Sequence, residues 1–300
     1  MTEFESAESR DVRRFLSSRP PVLLFFSLIA LVLSSCAPVL PSSRLHAQVD
    51  TIDRPKALFT WRDGVLAAGF VAATVLARPI DKRAAVALQD SLRQKSSIYQ
   101  KSAAIVRNIA LPGSTIIGVT MYGTGRLAHN DRLAQVGLYG MEALVVGTLT
   151  GSLLKDTFGR ARPFVDTIAP NPDDWQLLRG FHAGESYRSF PSGHSTAAFA
   201  AAAAVSAETS RWWPEATYFG IGPVLYGGAI AVGLSRMYNN RHWASDVITG
   251  AMIGTFAGTK VVRYNRVHPD NRLNRWLLKT EVTIRPSHGA SFSIYPALAR

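Results

Sequence analysis

Cysteine is almost absent from this chain: Cys36 is the only one among 300 residues. One thiol cannot close an intrachain disulfide, and it offers no basis for a cysteine-ligated metal site. Negative charge is also scarce, with 21 Asp and Glu against 33 Lys and Arg, for a formal net charge of +12 and a pI near 10.2. This excess calls for anionic partners, and a membrane surface or a phosphate ester answers it as well as a nucleic acid does. Nucleic acid is disfavoured because no basic stripe interleaved with aromatics and no nucleic-acid motif is present. The histidines at 46, 129, 182, 268 and 288 follow no metal-ligand spacing. Long uncharged apolar runs are lacking too. Most apolar stretches fall short of the roughly 20 residues a spanning helix needs. The longest carries Glu142, and mean hydropathy is only +0.07.

What is present suits one α-helical domain. The chain is 47% hydrophobic, enough to bury one large core. Gly/Ala-rich apolar stretches at about 64–77, 109–122, 133–154, 195–207, 216–234 and 246–262 predict an all-α, six-helix core bundle. The charged, amphipathic stretch 80–107 predicts one further helix lying across it. Gly250, Gly254 and Gly258 recur every four residues and invite close packing by a neighbour. In the tail, Val282, Ile284, Phe292 and Ile294 alternate around Pro286-Ser287-His288-Gly289, the pattern of a two-stranded hairpin.

Three short strings carry the chemistry. The first is Lys155 with Arg162-Pro163 seven residues on, the second Pro191-Ser192-Gly193-His194, and the third Ser235-Arg236 followed by His242 and Asp246. A transferring phosphoryl group spreads charge over three oxygens that fixed donors must neutralise, and Lys155, Arg162 and Arg236 are suited to that. Ser192 and Gly193 precede an Ala-rich helix, so their N–H groups are expected at a helix N-terminus, where anions bind. His194 falls on the first turn, placed to give a proton to a leaving oxygen. His242 and Asp246 are four apart at the head of another helix. The carboxylate is therefore expected to accept the imidazole N–H and fix its tautomer, freeing the other nitrogen to attack phosphorus.

Taken together, these strings resemble the type 2 phosphatidic acid phosphatase family, which includes bacterial non-specific acid phosphatases and vanadium haloperoxidases. The resemblance covers roughly residues 60–263. It implies an all-α hydrolase that needs no metal or other cofactor, with His242 forming a phosphohistidine, Asp246 orienting it and His194 protonating the leaving group. Lys155, Arg162, Ser192, Gly193 and Arg236 would hold the phosphate. The substrate would be a phosphate monoester or diphosphate, most naturally of a lipid. Two alternatives are a haloperoxidase holding vanadate in the same pocket and a soluble periplasmic acid phosphatase.

Helices that alternate in direction bring all three strings to one end of the bundle. The 27 residues between Pro163 and Pro191, among them Asp173, Asp174, Trp175 and Phe181, are expected to overhang the pocket. At the N-terminus, arginines precede an apolar run from Val22 to Leu33, and then comes Leu33-Ser34-Ser35-Cys36, which resembles a lipobox. The expected divisions are an export or lipoprotein signal over 1–36, a tether over 37–59, the helical phosphatase domain over 60–263 and a tail over 264–300. Trp212, Trp213 and Tyr218 suit a membrane interface. These features predict a bacterial envelope protein associated with the membrane, its site facing the periplasm.

Overall fold

A computed structural model of the chain describes residues 57–89, 94–95, 97–279, 281–285 and 291–295. The expected signal over 1–36, with Cys36, and all of the tether except its last three residues lie outside them. Seven helices form the body: α1 (Trp61–Leu88), α2 (Ser97–Asn108), α3 (Ser114–Leu127), α4 (Asp131–Phe158), α5 (Gly193–Thr209), α6 (Gly222–Tyr238) and α7 (Ala244–Val267). A short α8 (Arg272–Leu278) follows. Strands β1 (Glu281–Arg285) and β2 (Ser291–Tyr295) then pair antiparallel, with Val282 opposite Ile294, as the alternation in the tail predicts.

Two sequence expectations are corrected. The stretch 80–107 is not one crossing helix: residues 80–88 continue α1 through Pro79, and the rest contributes the separate α2. Six apolar stretches therefore become seven helices. Nor are the helices short. Trp61–Leu88 and Asp131–Phe158 each run 28 residues and Pro214–Tyr238 runs 25, all long and apolar enough to cross a membrane, and α2 and α3 together, across the kink at Leu111, make a fourth such stretch over Gln100–Leu127. At 1.5 Å per residue, 28 residues reach about 42 Å, more than a bilayer's hydrocarbon thickness. Polar end turns lengthen each helix beyond its apolar segment, which the hydropathy pattern alone understates. These helices leave Val71, Val75, Ile116, Val146, Leu149 and Val224 exposed, as apolar side chains facing lipid would be.

The centre is the parallel pair α5 and α7. A Cβ placed on Gly250, Gly254 or Gly258 would come within 2.6 Å of the backbone oxygen of Ser192, Thr196 or Ala200 respectively, so only glycine permits this approach. The Ala-rich sequence of α5 supplies the facing surface, with Ala197, Ala200, Ala203 and Ala204 all buried. Antiparallel to this pair, α4 packs through Gly147 and Gly151 against Thr196, and α6 through Gly233 against Ser195. α1 lies along α7 and is tied to it by Asp63–Lys260, Thr74–Thr249 and Asp81–Ser245 contacts. The described residues thus traverse the bundle six times. Lys155, Ser192 and His242 arrive at one end, whereas Trp61, Trp213, Phe219 and Trp276 stand exposed toward the other, an aromatic rim suited to an interface.

Candidate active site

The three strings meet where α4 ends and α5 and α7 begin. Gly159 closes α4 in the left-handed region, at φ 50°, and the chain turns into the 160–191 segment. That segment is braced rather than free. Ala161 N–H donates to Asp174 O, Arg162 N–H to Ser186 O and Ser189 N–H to Arg160 O, at 2.9–3.0 Å. Trp175 packs edge-on against Phe158 and Phe190 and lies over the Arg160 guanidinium, whose carbon is 4.5 Å from the ring centroid.

His242 is buried, and its Nδ1 lies 2.8 Å from the carbonyl oxygen of Ser189. Asp246 Oδ2 is farther, at 3.7 Å. The expected imidazole-to-carboxylate hydrogen bond is therefore replaced by one to the backbone, which makes Nδ1 the protonated nitrogen and leaves the lone pair on Nε2. Asp246 Oδ2 instead accepts from the Ser189 hydroxyl at 2.5 Å and from Trp243 N–H at 3.0 Å, and Oδ1 pairs with Arg160. Burial drives His242 well below its ordinary pKa; Asp246 opposes this while Lys155 and Arg162 add to it. The ring is therefore neutral at physiological pH. Burial alone would raise the Asp246 carboxyl, but Arg160, His242 and Ser189 hold it far below the usual carboxylate range.

Ser192 is fully buried at the N-cap of α5, and its own N–H donates to Asp246 O at 3.0 Å. Its hydroxyl accepts from Ser195 Oγ at 2.9 Å. Contrary to expectation, Ser192 therefore ties the heads of α5 and α7 together and does not offer its N–H to a ligand. The N–H groups of Gly193 and His194, first in the helix, are the ones left without intrahelical acceptors. Burial, with Arg236, Lys155, Arg107 and Arg162 nearby, pushes His194 down to about 4.

The cations converge as the sequence suggests. Lys155 Nζ donates to Arg188 O at 3.0 Å and Pro191 O at 2.5 Å, and its Cε lies 3.5 Å from where a Cβ on Gly193 would stand. Arg162 donates to Glu185 at 2.7 Å. Among the described residues, the buried Nε atoms of Arg162 and Arg236 find no hydrogen-bond partner. Exposed Arg107 and Arg241 lie within electrostatic reach of Arg236. Among the described residues, no three His, Cys, Asp or Glu side chains group as metal ligands.

Residues 137–269 match the model of the PAP2 superfamily. Over that stretch the chain is similar to that superfamily. Over 78 residues it is 41% identical to the lipid A 1-phosphatase of Porphyromonas gingivalis, covering 25% of this chain and 16% of that protein. It is 30% identical over 176 residues to the probable diacylglycerol pyrophosphate phosphatase 1 of Schizosaccharomyces pombe, covering 50% of this chain and 60% of that one. The chain thus spans only part of either relative's length. Its fold resembles that of a transmembrane PAP2-type phosphatidylglycerolphosphate phosphatase from Bacillus subtilis, with a TM-score of 0.50 at 18% identity over 71% of this chain and 99% of the other. Within the PAP2 stretch, Arg160 and Ser189 belong to the site although the three strings do not name them. Outside it, Asp81 of α1 joins as well. Asp81 stands among Arg78, Lys82 and Arg83 in the charged end of α1, so nothing in residue type or spacing singled it out.

Proposed function

We propose that this protein is a membrane-embedded phosphatase that hydrolyses the phosphate monoester or diphosphate of a lipid through a phosphohistidine on His242. The observation that carries this reading is the pair of buried guanidinium nitrogens, Arg162 Nε and Arg236 Nε, without acceptors among the described residues and beside a neutral buried histidine. Buried, unpaired guanidinium donors are costly unless an anion completes them.

In this reading the substrate phosphate lies among Arg162, Arg236, Lys155 and the Gly193 and His194 N–H groups. His242 Nε2 attacks phosphorus, an N–P bond forms, and the P–O bond to the leaving group breaks. The departing oxygen takes a proton from His194. A water molecule, giving its proton back to His194, then attacks phosphorus and breaks the N–P bond, releasing inorganic phosphate and free His242. Positive charge and helix N–H groups neutralise the equatorial oxygens, a task metal ions perform in other phosphatases, so we propose that no metal is required. The relatives' names, lipid A 1-phosphatase and diacylglycerol pyrophosphate phosphatase, and the lipid-facing helices favour a lipid over a soluble ester.

The test is a phosphate-release screen of the detergent-purified protein against phosphatidic acid, diacylglycerol pyrophosphate, phosphatidylglycerophosphate, isoprenyl diphosphates, lipid A and p-nitrophenyl phosphate, without added metal. Release from at least one lipid is expected. Turnover of p-nitrophenyl phosphate alone would remove the lipid assignment, and no release from any of them would remove the phosphatase.

A further inference from the structure

We infer that Asp81, on α1 and outside all three strings, is a positioning residue that caps the catalytic helix α7 from another helix and so fixes His242. The residue at the N-cap of α7 is Trp243, whose side chain has no oxygen to accept an orphan N–H. Asp81 supplies that oxygen. Its Oδ1 accepts Ser245 N–H at 2.9 Å, and its Oδ2 accepts the Ser245 hydroxyl at 2.6 Å. A carboxylate here also meets the positive end of the helix dipole.

The same carboxylate holds a second link. Its Oδ2 takes Arg160 Nη2 at 2.7 Å, and Arg160 Nη1 reaches Asp246 Oδ1 and, at 2.8 Å, Ser245 Oγ. Pro172 O accepts the remaining Arg160 donors at 2.8–2.9 Å, and the guanidinium carbon lies 5.4 Å from the Trp243 ring centroid on one side. Asp81, Arg160 and Asp246 are all at most 1% exposed. Asp246 in turn holds Trp243 N–H and Ser189 Oγ, and Ser189 O holds His242 Nδ1. Both residues flanking the reactive ring therefore depend on a carboxylate that α1 locks from behind. α1 otherwise packs lightly, with Val65, Val71, Val75 and Leu76 exposed, so this contact gives it a function beyond filling the core.

Asp81 touches none of Lys155, Arg162, Arg236 or the head of α5, so its loss should leave phosphate binding intact while displacing the nucleophile. Displacements of that kind far from the reacting atoms can cost on the order of 10²-fold in rate.

The inference rests on the proposed role of His242, and the experiment separates the two. Full-length wild type, Asp81→Ala, Asp81→Asn and Ser245→Ala, purified in detergent, are assayed with phosphatidic acid and p-nitrophenyl phosphate, and each is also labelled with ¹⁵N-histidine for spectroscopy. We expect Asp81→Ala to lower kcat about 10–100-fold with KM within about twofold, with Asp81→Asn and Ser245→Ala smaller in the same direction. The hydrogen-bonded Nδ1–H signal of His242 should broaden or shift in Asp81→Ala while that of His194 holds. If Asp81→Ala does not fold, the kcat and spectrum of Asp81→Asn decide. Unchanged kcat and an unchanged His242 signal in a folded variant overturn the inference, as does a rise in KM that accounts for the whole loss. A wild type without phosphatase activity would overturn the proposed function, and the spectra alone would then judge Asp81.

Discussion

The Nδ1 of His242 lies 2.8 Å from the backbone carbonyl oxygen of Ser189, and that contact determines which ring nitrogen is free. A backbone acceptor cannot be titrated or removed by a side-chain substitution, so the tautomer is secured by the path of the chain before Pro191 rather than by the carboxylate four residues on.

Asp246→Asn should therefore cost less rate than a triad carboxylate does when replaced, where the wrong tautomer accounts for about 10⁴-fold. We expect a loss of about 10–10²-fold in kcat, together with a clear fall in Tm. Among the described residues the variant leaves Arg160 with Asp81 as its only carboxylate partner, and removing one partner of a buried pair typically costs about 3–5 kcal/mol. Thermal melts and steady-state kinetics on one preparation check both; a rate loss near 10⁴-fold would return tautomer control to Asp246.

His242→Ala should remove turnover, by ~10⁴-fold or more, because no phosphoenzyme can form. His194→Ala should retain measurable attack on p-nitrophenyl phosphate, whose leaving group departs without a proton. Acid-quenched labelling with ³²P substrate separates them: label is expected on His194→Ala and absent from His242→Ala, and labelled His242→Ala would move the nucleophile elsewhere.

Binding of an oxyanion should be coupled to proton uptake at His194. Burial and the surrounding cations hold this ring at about 4, and an anion that neutralises those cations raises it. Orthovanadate affinity should thus be greatest near or below pH 4 and weaken as pH rises toward the ring's pKa in the complex. Calorimetry at pH 6 in buffers of different ionisation enthalpy reads the uptake directly. His194→Gln should abolish the buffer dependence, and its persistence in that variant would assign the proton elsewhere. A chelator should leave both binding and turnover unchanged.

Gly254→Ala should destabilise the protein by about 1–3 kcal/mol, the usual cost of overpacking, because its Cβ would press on the Thr196 carbonyl and push α7 from α5. Gly64→Ala, where nothing stands within 4 Å, is the control and should be neutral or slightly stabilising. Equal Tm values for the two would show that the helices part without penalty.

Sidedness joins two expectations that six traverses make mutually exclusive. The start of α1 lies at the end opposite the site, so a chain exported up to Cys36 and then crossing six times would leave the site in the cytoplasm. We expect an alkaline phosphatase fused after Asp166 to be active, and Cys36 to be unprocessed in cells with or without globomycin. An active fusion together with lipidated Cys36 would refute the six-crossing topology.

The motif residues were legible because their chemistry lies in residue type and spacing: a lysine seven residues before Arg162-Pro163, a Ser-Gly pair opening an Ala-rich helix, and a histidine four before an aspartate. That a neighbour packs closely on α7 was legible for the same reason, since glycines every four residues mark one helix face, but which helix it is was not. Helix ends were not, because the polar turns that extend α1 to Leu88 are held by burial of Asp81 and Ala85, which hydropathy does not register.

Sequence alone determined the helical class, the glycine face of α7 that a neighbour must meet, and the cations and histidines that converge, for these follow from local periodicity and side-chain chemistry. Only the tertiary structure decided how each donor is used: that His242 turns its N–H to Ser189, that Ser192 gives its own to α7, and that Asp81 and Arg160 lock Asp246. Hydrogen bonds within a buried site are apportioned among all groups that fold into it, some more than 160 residues apart as Asp81 and Ser245 are, and spacing along the chain carries no record of that competition.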